Sequence, residues 1–174
     1  MNPDPELDDL KRAIDGSISR MATKEVIVRA ERIRSFCEII GETNPVYFDL
    51  TEARRAGFER IPLPASYLLT LLTPLSHEFF TTGIGHLFGS LLRGIVHTSS
   101  VIEFLNPLYC DTPYGLKLEC TELARKSGKM GEYLVGTFPH KVFDAQSRLM
   151  VVDSHVFFLR TALRRVPDDS LRGI

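Results

Sequence analysis

The residues best suited to chemistry gather in the stretch GETNPVYFD, where the carboxylate of Glu42 and the phenol of Tyr47 bracket an Asn44-Pro45 pair. A loop carboxylate can act as a base, whereas a phenol with an ordinary pKa of about 10 does not exchange its proton readily near neutrality. Asn-Pro favours a turn and keeps Asn44 out of the helical region of backbone space. Plainer roles stand beside these. A loop glutamate is commonly just solvated, a tyrosine beside Phe48 commonly packs with its hydroxyl at the rim, and Asn44-Pro45 can serve turn geometry alone.

Histidines and cysteines give weaker signals. His97 falls on a segment expected as a strand, where a lone histidine is most often a satisfied structural one. His77, His86, His140 and His155 share no ligand spacing and are assigned no role. Cys37, Cys110 and Cys120 lie far apart without CxxC or Cys/His spacing, so neither a metal site nor a disulfide framework is expected, and a reducing cytoplasm fits. Arg54 and Arg55 read as a solvated helix face, with contact to a coenzyme A phosphate as the alternative.

These residues need elements to position them. KEVIVR, from Lys24, alternates and is β-branched, which predicts a strand. Ile33, Phe36, Cys37 and Ile40 then fall at helical spacing, with Gly41 as the C-cap. Asp49 offers an N-cap to a second short helix over 50–56, ended by Gly57. A long apolar helix is predicted from about Ala65 to Phe80, containing Pro74 and, being apolar nearly all round, buried. Strand signals follow over 94–105, 114–126, 131–142 and 149–160, separated by turn-rich pieces. The expectation is α+β: five antiparallel strands with one central helix, over 21–163. Residues 1–20 read as a polar lead-in with a short amphipathic piece over 7–14, and 164–174 as a polar tail.

Composition limits the classes open to the chain. A length of 174 residues suits one domain, and 44% hydrophobic with 25% charged residues is ordinary for a globular protein. A formal net charge of −1 without a basic run gives no footprint for nucleic acid. The acidic N-terminal stretch lacks the order of a signal peptide, and the apolar stretches are too interrupted for a membrane span. A cytoplasmic protein without a membrane partner is expected.

Two local matches sharpen this picture. IRSFCEIIGETNPVYFDLTEARRAGFERIPLP resembles the first helix, the D-x-N-P-x-H active-site loop and the approach to the central helix in the MaoC-like and FAS1-like dehydratase group, which includes the (R)-specific enoyl-CoA hydratases. IVHTSSVIEFLNPLYCDTPYGLKLECTELARKSGKMG resembles that group's segment of a histidine, an aromatic strand and a Pro-hydrophobe-x-x-Gly-Asp turn. Together they cover about residues 10–160 and imply a hot-dog domain.

The departures fall on the chemistry. Where the group has an Asp and, five residues on, a His, this chain has Glu42 and Tyr47; Asn44 and Pro45 are kept, and Gly-Asp has become Cys110-Asp111. His97 stands where relatives carry a histidine. The resemblance implies an acyl-thioester protein, either a substrate-binding subunit or a divergent enoyl-CoA hydratase acting with a partner subunit, in which Glu42 and Tyr47 hold the degenerate catalytic positions, while Asn44, Pro45, Ser66, Tyr67 and His97 bind substrate. Backbone N–H groups over 66–68, at the start of the central helix, would polarise the thioester carbonyl. It implies no cofactor and no metal. The partner would be an acyl-CoA or acyl-carrier thioester, held by a homodimer or by a heterodimer with another hot-dog subunit. Alternatives are a non-catalytic acyl-CoA or lipid-binding module and a hot-dog thioesterase, for which Glu78 is the sole carboxylate on the helix.

Overall fold

The computed structural model describes residues 4–21, 23–87, 92–128 and 131–161. The polar tail expected over 164–174 lies outside them.

The chain begins with a longer helix than the short amphipathic piece expected. Asp4 accepts a hydrogen bond from the Leu7 N–H at 3.1 Å and caps α1, Pro5–Arg20, whose first position is a proline. Leu10, Ile14 and Ser17, at i, i+4 and i+7, are buried, so this helix is part of the domain. Arg125 on the sheet binds the Asp4 carboxylate at 2.7 Å and ties the helix start down.

β1, Lys24–Ile27, leads into α2, Ala30–Ile40, which buries Ile33 and Cys37. Gly41 ends α2 at φ 70°, a left-handed conformation that costs glycine little. The loop then makes a 3-10 turn over Pro45–Tyr47 and enters α3, Leu50–Arg55, capped by Asp49 as expected. Arg54 is exposed and Arg55 pairs with Glu52 at 2.8 Å on the surface, as a solvated face would.

The central helix is built in three pieces. A 3-10 turn over Ala65–Tyr67 opens into α4, Leu68–Glu78, and a π-helical turn over Phe79–Gly83 extends it. Leu68, Leu71, Leu72, Leu75 and Phe79 are buried, each contributing about 1.5–3 kcal/mol of apolar burial. The opposite flank, with Leu69, Thr70, Thr73, Pro74 and His77, is exposed. The helix is therefore one-sided rather than buried all round, and Pro74 lies on its exposed flank.

The sheet is antiparallel throughout, with order β1-β3-β5-β6-β2 and β4 also on β5. Its later strands are β2, Leu92–Phe104; β3, Pro113–Leu118; β4, Glu122–Gly128; β5, Gly131–Phe143; and β6, Leu149–Thr161. The five strand positions expected are filled by six segments, because the stretch predicted over 114–126 breaks in two along one side of β5. β3 ends at Leu118 opposite His140 and β4 resumes at Glu122 opposite Thr137. Pro139, which has no N–H to offer a ladder, lies opposite the break.

Register decides which side chains face the helix. On β6, Val151, Asp153, Phe157 and Leu159 are buried at period two, and their β5 partners include Val142, His140 and Leu134. Gly136, opposite Phe157, leaves room for the Phe138 ring: a Cβ there would stand 2.5 Å from it. α4 packs on β1 and β3. β2 ends the sheet order beside β6 as an edge strand, exposed from Val96 to Phe104.

Candidate functional site

The loop at 41–48 is ordered by its own side chains. Glu42 Oε1 accepts the Asn44 N–H at 2.8 Å, and Asn44 Oδ1 in turn accepts the Val46 N–H at 3.1 Å. Asn44 thus caps the 3-10 turn, with Pro45 at its first position and Val46 buried beneath. Asn44 and Pro45 are exposed, while Glu42 and Tyr47 are half-buried. Burial raises the Tyr47 phenol above its ordinary value, and the negative charge of Glu42 adds to the effect. The Cys37 thiol is raised by its burial and by Glu42, so these three groups are neighbours.

The loop reaches the start of the central helix through α2. Phe36 meets Tyr67 edge-on, ring centres 5.0 Å apart. Tyr67 is buried and Ser66 exposed. The N–H groups of Tyr67 and Leu68 are engaged within the turn, by the carbonyls of Pro64 and Ala65. Of the 66–68 donors suggested by the sequence, Ser66 is the one facing outward. A groove of about 940 Å³ runs from Tyr67 along the open flank of α4 beside β1 and ends near Thr82. Glu78 lies along it in an ion pair with Lys24 at 2.8 Å, at the opposite end of α4 from the loop.

His97 lies elsewhere, and it is not alone. Its Nε2 is 3.1 Å from Nδ1 of His155, whose Nε2 is 3.0 Å from Asp153 Oδ2. The latter contact has ion-pair distance without the alignment of a straight hydrogen bond. Ser100 donates to the other carboxylate oxygen. On the far side of His155, His140 stands with its ring centre 4.5 Å away, its Nδ1 on the Phe138 carbonyl at 3.1 Å and its Nε2 toward Ser76 of α4 at 3.3 Å.

Electrostatics separate the members of this cluster. Asp153 is fully buried; burial raises its carboxyl, but the His155 ring nitrogen beside it and the hydrogen bond from Ser100 outweigh that and hold it below the usual carboxylate range. Burial, helped by the nearby His155, pushes His140 down to about 4, so it is neutral at physiological pH. Linear spacing hides this group. Positions 153 and 155 share a face at period two, but 97, 100 and 140 join them only through strand pairing. Among the described residues, no group of three or more His, Cys, Asp or Glu side chains is arranged to hold a metal ion.

A helix laid across an antiparallel sheet in this order defines a hot-dog domain. The FAS1-like dehydratase domain region matches residues 18–147, and the chain belongs to that family. No curated protein matches the sequence. Among solved structures, the ChsH1-ChsH2 complex from Mycobacterium tuberculosis aligns with a TM-score of 0.63 at 17% identity, over 89% of this chain and 98% of that one. The C-terminally truncated HadBC (3R-hydroxyacyl-ACP dehydratase) complex from the same organism aligns at 0.62 and 15%, over 78% and 90%. The (R)-hydratase from A. caviae involved in PHA biosynthesis aligns at 0.58 and 18%, over 78% and 91%. At these identities the likeness is one of fold: the MaoC-like hydratase and dehydratase fold.

No helix among the described residues is long and apolar enough to cross a membrane.

Proposed function

We propose that this protein binds acyl thioesters, of coenzyme A or an acyl carrier, with loop 41–48 and the start of the central helix facing the thioester, and that it does so as a subunit of a hot-dog dimer. The observation that carries this is the state of the loop. It keeps the Asn44-Pro45 turn, with Val46 buried beneath it, yet its carboxylate is occupied by its own backbone and its phenol is held above an already high pKa. Such a loop can shape a binding site but lacks a proton carrier poised near neutrality.

Two further features support the dimer. The 13-residue β2 strand presents an unpaired edge, with Val96 and Val101 each more than 60% exposed, and pairing such edges closes the sheet. Two of the similar structures, HadBC and ChsH1-ChsH2, are complexes, which supports a partner that is either a second copy or a related chain. A thioesterase reading is disfavoured, since Glu78 is tied to Lys24 away from the helix start. Three free cysteines suit a cytoplasmic setting.

Calorimetric titration with crotonyl-CoA tests the proposal. Saturable binding is expected, and the Tyr47→His/Glu42→Asp double variant should hydrate crotonyl-CoA at least about tenfold faster than wild type, because it restores a near-neutral acid–base pair. Absence of binding would overturn the proposal. Robust wild-type hydration that disappears in Glu42→Ala would instead make the loop itself catalytic.

A further inference from the structure

We propose that the face of the sheet turned away from α4 carries a second binding site, built from Tyr133, Phe158, Arg93 and Arg160, that takes a planar aromatic anion of the aryl carboxylate class.

Strand alternation brings these residues together. Leu134 and Leu159 pair across β5 and β6 and are buried on the helix side, so their neighbours Tyr133, Phe158 and Arg160 point to the other face. On β2, Val96 pairs with Phe158 and Gly94 with Arg160. Three adjacent strands thus supply one floor. The rings of Tyr133 and Phe158 lie 4.9 Å apart, tilted by 37°. Phe158 is 39% and Val96 62% exposed, so this floor meets solvent as apolar surface.

Two glycines keep the floor open. At Gly128 a Cβ would stand 3.1 Å from the Tyr133 ring, and its absence lets that ring settle over the end of β4. At Gly94 a Cβ would stand 3.9 Å from Cβ of Arg160, and with no side chain there the space beside Phe158 stays clear. The hollow holds about 630 Å³, in the size range of small-ligand sites.

Charge selects the ligand's sign. Arg93, at the register shift between Leu92 and Gly94, and Arg160 both line the hollow and are exposed. Glu132, the carboxylate that also lines it, stands 3.4 Å from Arg125. Among the described residues neither Arg93 nor Arg160 has an ion-pair partner. Lys126, exposed and in register with Tyr133, adds positive charge at the margin. Guanidinium groups beside aromatic rings offer a carboxylate a planar fork of donors, and they stack on flat π systems.

The openness of the hollow selects the ligand's body. A flexible alkyl chain would lose torsional freedom on such a surface, whereas a rigid ring system loses none and gains offset contact with both rings. The site lies across the sheet from α4, whose start faces the thioester in the function proposed above. The two ligands therefore do not share a position.

Titration calorimetry of the full-length protein with 2-naphthoate should show saturable binding at a single site. The neutral isostere 2-naphthalenemethanol and the flexible anion laurate should each bind at least about tenfold more weakly. Arg93→Gln and Arg160→Gln should each weaken 2-naphthoate binding about five- to tenfold, and added salt should weaken it in the wild type. Gly94, which has no left-handed backbone to protect, can be changed to valine; Gly94→Val should fill the hollow and abolish binding. Should Gly94→Val fold poorly by circular dichroism, the two arginine variants, both at exposed positions, decide the matter alone. Saturating crotonyl-CoA should leave the affinity for 2-naphthoate unchanged. Absence of saturable binding, equal binding of the neutral isostere or of laurate, full affinity in both arginine variants, or displacement by crotonyl-CoA would overturn the inference.

Discussion

His97 reaches His155 although Ser100, not His97, is the residue paired with His155 across β2 and β6. A register shift between His97 and Ser99 leaves Thr98 as an extra residue, its hydroxyl bonded to the Val156 carbonyl at 2.9 Å. Bulges of this kind re-aim side chains next to functional sites. Here the bulge places both His97 and Ser100 on the concave face, where strict alternation would have separated them.

His140 should make the protein acid-sensitive. Its folded pKa of about 4 lies below the unfolded value of about 6.5, so its contribution to stability is present above pH 6.5 and is lost as pH falls toward 4. Comparison of urea unfolding at pH 7 and pH 5 should show a loss of about 2 kcal/mol from this group. In His140→Phe that part of the loss should be absent; an unchanged pH dependence would show that His140 is not held neutral.

Ile14 is fully buried in α1. Ile14→Ala should cost about 2–4 kcal/mol in equilibrium unfolding, with a single transition. A cost near zero would mean that α1 does not dock on the domain in solution.

At Gly136 a methyl group would meet the ring of Phe138, which is itself fully buried, and Leu123 at 3.3 Å. Neither neighbour has room to give. Gly136→Ala should therefore lower the midpoint of thermal unfolding, at a cost of about 1–3 kcal/mol.

Val101, in the middle of the exposed edge strand, is 63% exposed in the single chain. If β2 pairs with a partner's edge, Val101→Lys should shift the mass measured by light scattering from dimer to monomer while leaving the circular dichroism spectrum intact. A dimer that withstands this change would locate the interface on another surface.

Much of the architecture was legible in local patterns. The alternation of KEVIVR, the helical spacing of Ile33 to Ile40 with Gly41 behind it, and the Asp49 cap each depend on a few adjacent residues, and each element formed where expected. The same holds for the GETNPVYFD turn, because Asn44 and Pro45 act on the backbone next to them. Local patterns were less informative about extent: the 16-residue α1 owes its length to partners on the sheet, and the exposed flank of α4 reflects which strands it covers.

What sequence determined by itself was the order and type of most elements and the lack of a histidine in the GETNPVYFD loop, where Glu42 and Tyr47 stand, since both follow from residue identity and short-range spacing. Only tertiary structure decided that Asp153, His155, His97 and Ser100 form one connected group, with His140 as its neutral wall. Cross-strand register and a one-residue bulge bring together positions more than 50 residues apart, and burial then sets their charges. Neither pairing nor desolvation is encoded in any single segment of the chain.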